Sequence, residues 1–302
     1  MNSNRFRWGI DLGGTKIEAV ILDSKMDDKI IERLRVPTLS NLGYEKVLSQ
    51  IYKLIKMMEE KSGLEPVKLG IGTPGRLDPI SQTIKNSNSI CLNGKPLLAD
   101  LEKMFGIEIR IENDANCFAI SESHYLLKSD YPNAEVIFGI ILGTGVGGGI
   151  VVNGNILSGK HGIAGEWGHN FLDTSGGACY CGRSGCVETI ISGPALERYY
   201  MSLSGEERKL KDIVARHLSN QDSNASLTLD RLHYYFGKAL AQLINILDPQ
   251  VVVIGGGVGN IDSLYVEGVK AVQQFLFNST LSTTFLKPKF GDSSGVIGAA
   301  FL

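Results

Sequence analysis

The stretch WGIDLGGTKIEAVILD, residues 8–23, sets the fold class of this chain. Residues 8–12 predict a buried strand, GGTK a tight turn, and residues 17–23 a returning strand. Two glycines at the reversal allow backbone N–H groups to approach an anion closely, because no side chain intervenes. A plain β-turn explains this turn equally well, so both interpretations stay open at this point.

The same unit occurs again, in altered form, in the second half of the chain. Residues 136–142 predict a strand, GTGVGGG a glycine turn and residues 150–152 the return, followed by the hairpin signal NGN. The repetition indicates a duplicated architecture. It also favours phosphate binding, since two such hairpins facing each other across a cleft would hold a triphosphate. The run GGG at residues 255–257 follows a strand and offers a third close approach, suited to a flat base.

Further elements complete two alternating α/β halves. Helical periodicity predicts helices over residues 44–60, 97–104, 115–127, 195–201, 210–218, 227–247, 264–277 and 295–302. The remaining predicted strands cover residues 30–36, 67–72, 107–111 and 251–254. The predicted N-terminal α/β domain comprises residues 1–115 and 291–302, and the C-terminal α/β domain residues 116–290.

Composition limits the classes of partner. The chain has 302 residues, a formal charge of −2 and 43% hydrophobic residues, which is typical of a soluble globular protein. The near-zero charge gives no support for nucleic-acid binding, and no apolar run approaches the roughly 20 residues of a membrane helix. Because no N-terminal apolar stretch with a cleavage site is present, a cytoplasmic location is expected.

The runs GEWGH and CYCGRSGCVE predict a metal site. The potential ligands are His169, Cys179, Cys181 and Cys186. One imidazole and three thiolates fill the tetrahedral shell of Zn2+ and leave no position for water, so the metal would hold shape. Clustered small hydrophobes are the alternative, and a disulfide is a weaker one because five cysteines are an odd number. Glu166 and Glu188 bracket the ligands, and a zinc-fixed loop could present both carboxylates to a polar molecule.

The acidic run END, residues 112–114, lies between a predicted strand and a predicted helix. Asp114 could be a helix N-cap, a role worth about 1 kcal/mol. It could instead be a general base that takes the proton from a sugar hydroxyl as this attacks the γ-phosphate. The phosphate loops on one side and acid-rich polar loops on the other favour the base. Asp11 could likewise orient Mg2+ or its waters, with Lys16 and Thr15 adding a charge and a hydroxyl.

Together, the motifs DLGGTK, GTPG, END, LGTGVGGG, GEWGH, CYCGRSGCVE and GGG resemble the ROK (repressor, open reading frame, kinase) sugar kinases in order and approximate spacing. The resemblance runs from about Trp8 to Leu302. It implies an actin-like ATPase (ribonuclease H-like) fold, with two α/β domains around a cleft, a zinc-stabilised loop and a final helix that returns to the first domain. It also implies ATP, Mg2+ and structural Zn2+ as cofactors, and a homodimer or larger homo-oligomer.

The resemblance also implies roles for single residues. Asp114 would be the catalytic base. The residues that would bind the sugar are Gly75, Arg76, Asn88, Asn113, Gly145, Glu166, His169 and Glu188. Those facing the phosphates and Mg2+ would be Asp11, Gly13, Gly14, Thr15, Lys16 and Thr144, with Gly256 and Gly257 bordering adenine. His169 would work twice, with one ring nitrogen on zinc and the other toward the sugar.

The predicted function is an ATP-dependent hexose kinase that transfers the γ-phosphate to the 6-hydroxyl of a sugar. The runs KNSNSICLNGKPL (residues 85–97) and VETIISG (residues 187–193) are similar to fructokinases with mannose activity, so fructose or mannose is the first choice. The runs GKPLLADL and LGTGVGGG are equally similar to N-acetylglucosamine kinases, which makes N-acetyl-D-glucosamine the alternative, with glucose as a further one.

Two other classes of protein are less favoured. A sugar-sensing repressor of the same family would carry a helix-turn-helix segment before the first strand, whereas seven residues precede Trp8. A zinc-stabilised sugar-binding protein without catalysis would give Asp114 and Lys16 no reason to accompany phosphate loops. The expected partners are therefore a hexose and ATP, and neither a nucleic acid nor a membrane.

Overall fold

The computed structural model describes residues 5–302, except for the side chain of Asp292. The strands are β1 Phe6–Leu12, β2 Lys16–Asp23, β3 Lys29–Pro37, β4 Lys68–Thr73, β5 Arg76–Leu77, β6 Ile84–Lys85, β7 Glu108–Asn113, β8 Val136–Leu142, β9 Val146–Val152, β10 Asn155–Ile156, β11 Val251–Gly255 and β12 Thr284–Leu286. The helices are α1 Tyr44–Ser62, α2 Leu97–Phe105, α3 Asp114–Lys128, α4 Glu188–Ile191, α5 Gly193–Ser204, α6 Leu210–Leu218, α7 Ser223–Leu247, α8 Gly256–Gly259, α9 Glu267–Phe275 and α10 Ser294–Ala299.

Two five-stranded sheets repeat one pattern. Their strand orders are β3-β2-β1-β4-β7 and β10-β9-β8-β11-β12. In each sheet a glycine hairpin, β1–β2 or β8–β9, pairs antiparallel, and its first strand then pairs parallel with a strand from later in the chain. The prediction of a duplicated α/β architecture is therefore confirmed.

The described chain forms two compact units. The first contains the described residues up to Leu126, the segment Ile156–Ala164 and the C-terminal residues from Asp292. The second contains Leu127–Asn155 and Gly165–Gly291. Most of α3 thus belongs to the same unit as the first sheet. The division into domains at residue 115 stays a prediction.

The core of the first unit forms where helix α1 covers one face of the first sheet. Apolar side chains three and four residues apart on α1 meet the alternating inward residues of β1 and β2. Val47, Ile51, Leu54, Ile55 and Met58 are fully buried there. Each such side chain contributes about 1.5–3 kcal/mol through burial, which anchors the strands that carry the DLGGTK turn.

Helix α10 packs on the other face of this sheet. A Cβ atom at Gly9 would lie 2.5 Å from the Ala300 nitrogen, and one at Gly70 would lie 1.8 Å from the Ala299 oxygen. Only glycine leaves room for the helix to come this close. The predicted return of the final helix to the first domain is confirmed, since α10 belongs to the first unit.

Two predicted boundaries were wrong for physical reasons. The returning strand of the second hairpin begins at Val146 instead of residue 150, so Gly147–Gly149 lie in β9 and not in the turn. Gly148 is a glycine because a Cβ atom there would lie 2.7 Å from the rings of both Phe138 and Trp167. Helix α7 begins at Ser223 instead of residue 227, because Asp222 caps it by accepting the amides of Asn224 and Ala225.

The third glycine run and its following helix also differ from the prediction. Gly256 begins the short helix α8, and the segment after it forms a 3-10 turn before α9 starts at Glu267. The predicted helix from residue 264 is therefore shorter. None of the helices within residues 5–302 is both long and apolar enough to cross a membrane.

Candidate active site and metal centre

The four predicted metal ligands meet in the second unit. The ligand atoms of His169, Cys179, Cys181 and Cys186 all lie within 4.8 Å of one another. Nδ1 of His169 is 3.6 Å from Sγ of Cys179, and Sγ of Cys181 is 3.6 Å from Sγ of Cys186. Tetrahedral zinc, with Zn–S bonds of about 2.3 Å and a Zn–N bond of about 2.0 Å, separates its ligand atoms by about 3.5–3.8 Å. The cluster therefore fits structural Zn2+.

The disulfide alternative does not hold in the described residues. All five cysteines are free, and the 3.6 Å between Cys181 and Cys186 exceeds the roughly 2.05 Å of a bonded pair. The loop that carries the thiols turns at Gly182 and Gly185, whose φ angles are 84° and 74°. Such positive angles favour glycine, which explains the glycines between the cysteines.

The second ring nitrogen of His169 also has a partner. Nε2 lies 2.9 Å from the hydroxyl of Tyr180, whose ring packs edge-on against the imidazole. This bond orients the ring so that Nδ1 points at Cys179, as outer-shell partners of zinc histidines do. The contact of Nε2 with a sugar stays a prediction. Tyr180 had no recognisable signal in the sequence beyond its place between two cysteines.

The second glycine turn is tied to one of the bracketing glutamates. The amide of Val146 donates a 2.9 Å hydrogen bond to Oε2 of Glu188, the first residue of α4. A Cβ atom at Gly145 would lie 2.6 Å from the same oxygen. Glu166 is half-buried and precedes a 3-10 turn that leads to His169. The four potential zinc ligands, Glu166, Glu188 and the turn therefore belong to one local structure.

The residues predicted to border adenine lie next to this turn. Gly143 accepts the amide of Gly193, at the start of α5, at 2.9 Å. Gly256 has φ 84°, and a Cβ atom there would lie 2.3 Å from the Leu142 oxygen, so glycine is required. Thr144 and Gly257 are exposed next to them. The glycine turn, α8 and the start of α5 thus converge in the second unit.

In the first unit, the DLGGTK turn is held by residues after β3. The hydroxyl of Thr38 donates to the carbonyl of Gly13 at 2.6 Å, and that of Ser40 to the carbonyl of Gly14 at 3.0 Å. The Thr38 amide donates to the carbonyl of Thr15 at 3.0 Å. Three carbonyl dipoles are thereby neutralised at a turn predicted to face phosphate. Lys16 remains exposed at its end.

Asp11 lies at the end of β1 beside other acids. Burial first, and then the negative charges of Asp114 and Glu18, raise the pKa of Asp11 to about 6. The charges of Asp11, Glu112 and Asp114 also raise the pKa of the buried Cys117 thiol, after the larger effect of its burial. The structure therefore brings Asp11 and Asp114, 103 positions apart in the chain, into one acidic group.

The three residues of the END run make different hydrogen bonds. Oδ1 of Asn113 accepts the amide of Asn116 at 2.9 Å, so Asn113 caps α3 and the N-cap interpretation of Asp114 was wrong. Asp114 is the first residue of α3, and its exposed side chain accepts the Ala115 amide at 2.8 Å. Glu112 accepts the Ser158 hydroxyl and the Asn116 side-chain amide, both at 2.7 Å.

The residues predicted on the sugar side of this unit differ in exposure. Gly75 packs on Ser87, since a Cβ atom would lie 2.7 Å from the Ser87 Cβ. Asn88 is exposed in the following loop. Arg76 is buried, and its guanidinium donates to the carbonyls of Gly162 at 2.6 Å and Ala164 at 3.1 Å. Sugar contact by Arg76 stays a prediction, and its observed contacts are with the loop 156–164.

Sequence reasoning missed the residues that support the site. They are Glu18, Thr38, Ser40, Tyr180 and Ser158. Thr38 and Ser40 follow a predicted strand without any motif, so only their three-dimensional position shows that they bind the carbonyls of the DLGGTK turn. Glu18 had a signal, because an acidic residue in a predicted buried strand needs a cationic partner.

Comparisons with known proteins agree with this geometry. The model of the ROK family matches residues 7–302. A Vibrio parahaemolyticus protein named N-acetyl-D-glucosamine kinase is 36% identical over 305 residues, covering 98% of each chain. A protein of the same name from Pasteurella multocida is 36% identical over 307 residues, again covering 98% of both.

Solved structures give the same result. The ROK hexokinase from Thermus thermophilus has a TM-score of 0.85 at 31% identity, covering 98% of this chain and 96% of that one. The ROK glucokinase from Streptomyces griseus, solved with glucose and AMPPNP, has a TM-score of 0.77 at 28% identity, covering 98% of both. These similarities confirm the actin-like ATPase fold class and the predicted family. The chain belongs to the ROK family.

Proposed function

We propose that this chain is an ATP-dependent hexose kinase and that its sugar is N-acetyl-D-glucosamine. The observation that carries the proposal is the exposed carboxylate of Asp114 at the first position of α3, beside Asp11 and the DLGGTK turn. A carboxylate with this exposure can accept a proton from a bound hydroxyl, while the turn and Lys16 would neutralise the charge of a phosphate.

The residues would divide the reaction as follows. Asp114 takes the proton from the 6-hydroxyl of the sugar while the oxygen of that hydroxyl attacks the γ-phosphorus. The bond between the γ-phosphorus and the bridging oxygen breaks, which releases ADP. Asn113, whose Oδ1 caps α3, keeps its side-chain N–H groups for sugar hydroxyls. Glu166 and Glu188 accept further hydroxyls. Mg2+ would be held near Asp11 and would neutralise phosphate charge. Zn2+ would fix the loop that carries the two glutamates.

The choice of sugar rests on the relatives. Sequence patterns favoured fructose or mannose first and N-acetyl-D-glucosamine as the alternative. The relatives named N-acetyl-D-glucosamine kinase align along 98% of this chain at 36% identity, which supports the alternative. The reaction is the same in either case, since both assign phosphate transfer to a sugar hydroxyl.

The test is ADP release with Mg2+ and ATP against N-acetyl-D-glucosamine, fructose, mannose, glucose and N-acetylmannosamine, compared by kcat/KM. We expect N-acetyl-D-glucosamine to give the highest value. A higher value for fructose or mannose would restore the first choice from the sequence. No turnover with any of the five, in protein shown to contain zinc, would overturn the proposed function.

We also propose a homo-oligomer and a cytoplasmic location. All five cysteines are free in the described residues, which fits a reducing compartment. Sedimentation of the purified protein tests the first proposal, since a monomer at micromolar concentration would contradict it. Fractionation of the source cells tests the second.

A further inference from the structure

A row of charged residues crosses the first sheet at the end near the DLGGTK turn. Asp11 on β1 lies opposite Glu18 on β2, and Glu18 lies opposite Arg35 on β3. Residues opposite one another in adjacent strands point to the same face of a sheet. The three side chains therefore share the face on which Asp11 lies beside α10, since a Cβ atom at Gly295 would be 3.6 Å from the Asp11 carboxylate.

The carboxylate of Glu18 holds several cations. Its Oε2 is 2.8 Å from Nε of Arg35 and 4.0 Å from Nζ of Lys16, and its Oε1 pairs with Nε of Arg33. The Glu18 side chain is only 2% exposed. A carboxylate this deeply buried is stable when cations accompany it. Glu18 therefore fixes the position of the guanidinium groups.

The cations keep access to solvent. The side chain of Arg35 is 48% exposed and that of Lys16 is 53% exposed. Lys16 and Arg35 thus bring two solvent-accessible positive charges next to the turn, beside the carboxylates of Asp11 and Glu18. A guanidinium that is partly exposed to solvent suits phosphate oxygens, which arginine binds through charge-assisted hydrogen bonds.

The two arginines differ in their distance from the turn. Arg35 lies opposite Glu18, whereas Arg33 lies opposite Val20, two residues further from the turn. The charges of Lys16 and Arg35 both act to lower the pKa of Asp11, against the larger effects that raise it. Arg35 thus has the same buried partner as Arg33 but lies nearer to the site.

We propose that Arg35 contacts the phosphate groups of the nucleotide beside Lys16, and that Glu18 is the positioning residue that holds it there. The inference rests on the proposed kinase function and adds a phosphate ligand from β3 to it. Lys16 from the motif and Arg35 from outside it would then approach the same phosphate chain.

The experiment compares Arg35→Met with Arg33→Met. Both variants remove one guanidinium from the same carboxylate, so they serve as matched controls for the stability of the sheet. Binding of adenosine, ADP and AMPPNP is measured by calorimetry, and kcat/KM is measured for ATP. Because a charge-assisted hydrogen bond is worth about 1.5–3 kcal/mol, we expect Arg35→Met to weaken ADP and AMPPNP by about 10- to 100-fold.

Adenosine binding distinguishes loss of a phosphate contact from a general disturbance of the structure. Its affinity should change less than about twofold in Arg35→Met, since it has no phosphate, and Arg33→Met should weaken all three ligands by less than about threefold. Arg35→Lys should recover part of the AMPPNP affinity, because it keeps the charge but not the fork. Glu18→Gln should weaken ADP and AMPPNP but not adenosine.

Equal losses in Arg35→Met and Arg33→Met, or an equal loss for adenosine and AMPPNP, would overturn the proposal. A wild-type protein that binds AMPPNP but phosphorylates no sugar would overturn the proposed function alone, and the two variants would still decide the role of Arg35. A wild-type protein that binds none of the three nucleotides would overturn both.

Discussion

The amide of Val146 donates a 2.9 Å hydrogen bond to Oε2 of Glu188, so the second glycine turn and a predicted sugar ligand hold each other in place. A Cβ atom at Gly145 would lie 2.6 Å from that oxygen, which is closer than real Cβ atoms come to their neighbours. A Cβ atom at position 145 would therefore force the carboxylate of Glu188 to move.

Gly145→Ala should displace Glu188 and weaken sugar binding. We expect a loss of about 10-fold or more in sugar affinity, because a misplaced carboxylate leaves hydroxyls without their partner. The control is Gly143→Ala, whose added carbon would meet no atom closer than 4.0 Å. Titration of the sugar by calorimetry checks both, and equal affinities in the two variants would show that Glu188 does not bind the sugar.

Asp114→Asn should remove nearly all turnover and leave sugar binding within a few-fold of wild type. Loss of a general base lowers kcat by about 100- to 10,000-fold. Stability should hardly change, since Asn113 and not Asp114 caps α3. Asn113→Ala should instead destabilise the protein by about 1 kcal/mol. Single-turnover kinetics and thermal unfolding separate the two effects, and a kcat of Asp114→Asn near the wild-type value would remove its assignment as base.

Cys181→Ala, or removal of zinc by a chelator, should loosen the loop between Glu166 and Glu188. The expected results are loss of bound metal, a lower unfolding temperature and weaker sugar binding, because outer-shell and loop positions depend on the metal. Cys91→Ala is the matched control, since Cys91 lies outside the ligand cluster. Unchanged sugar affinity in protein verified to be metal-free would break the link between zinc and sugar.

Arg76→Met should free the loop 156–164. Arg76 donates to the carbonyls of Gly162 and Ala164 in this loop. The same loop contains Lys160, a potential site of trypsin cleavage. We expect faster trypsin cleavage after Lys160, because opening of a loop governs its proteolysis. Arg110→Met, which removes an exposed arginine paired with Glu108, is the control. Equal cleavage rates in both variants would mean that other contacts hold the loop.

Asp11→Asn should stabilise the magnesium-free protein at neutral and higher pH. The pKa of Asp11 is about 6 in the folded protein, against 3.8 for an ordinary aspartate, so the folded state binds the extra proton between these values. The stabilisation from this proton is complete below the lower pKa and is lost as the pH rises through the higher one.

The neutral Asn side chain has no such dependence. The variant should therefore gain about 1–3 kcal/mol in the free energy of unfolding at about pH 8 and nothing at about pH 4. Urea unfolding at both pH values checks this. A gain that does not vary with pH would mean that the charge of Asp11 is not the cause. Magnesium-dependent turnover should be lost at every pH.

Much of the architecture followed from local pattern. The two strand, glycine turn, strand units were readable because apolar runs and glycine reversals leave a signal within about ten residues. The zinc ligands were equally readable, since their spacing confines three thiolates and one imidazole to a single loop. The start of α7 was missed because a polar first turn hides a helix whose cap, Asp222, lies further back.

The sequence by itself determined the α/β class, the duplicated hairpins, the metal ligands and the position of Asp114. Tertiary structure alone decided which distant residues serve these motifs. Thr38 reaches the carbonyl of Gly13, and Glu18 lies opposite both Asp11 and Arg35 in the neighbouring strands. Such contacts depend on which strands pair and in what register, and a register is set by the packing of the whole sheet rather than by neighbours in the chain.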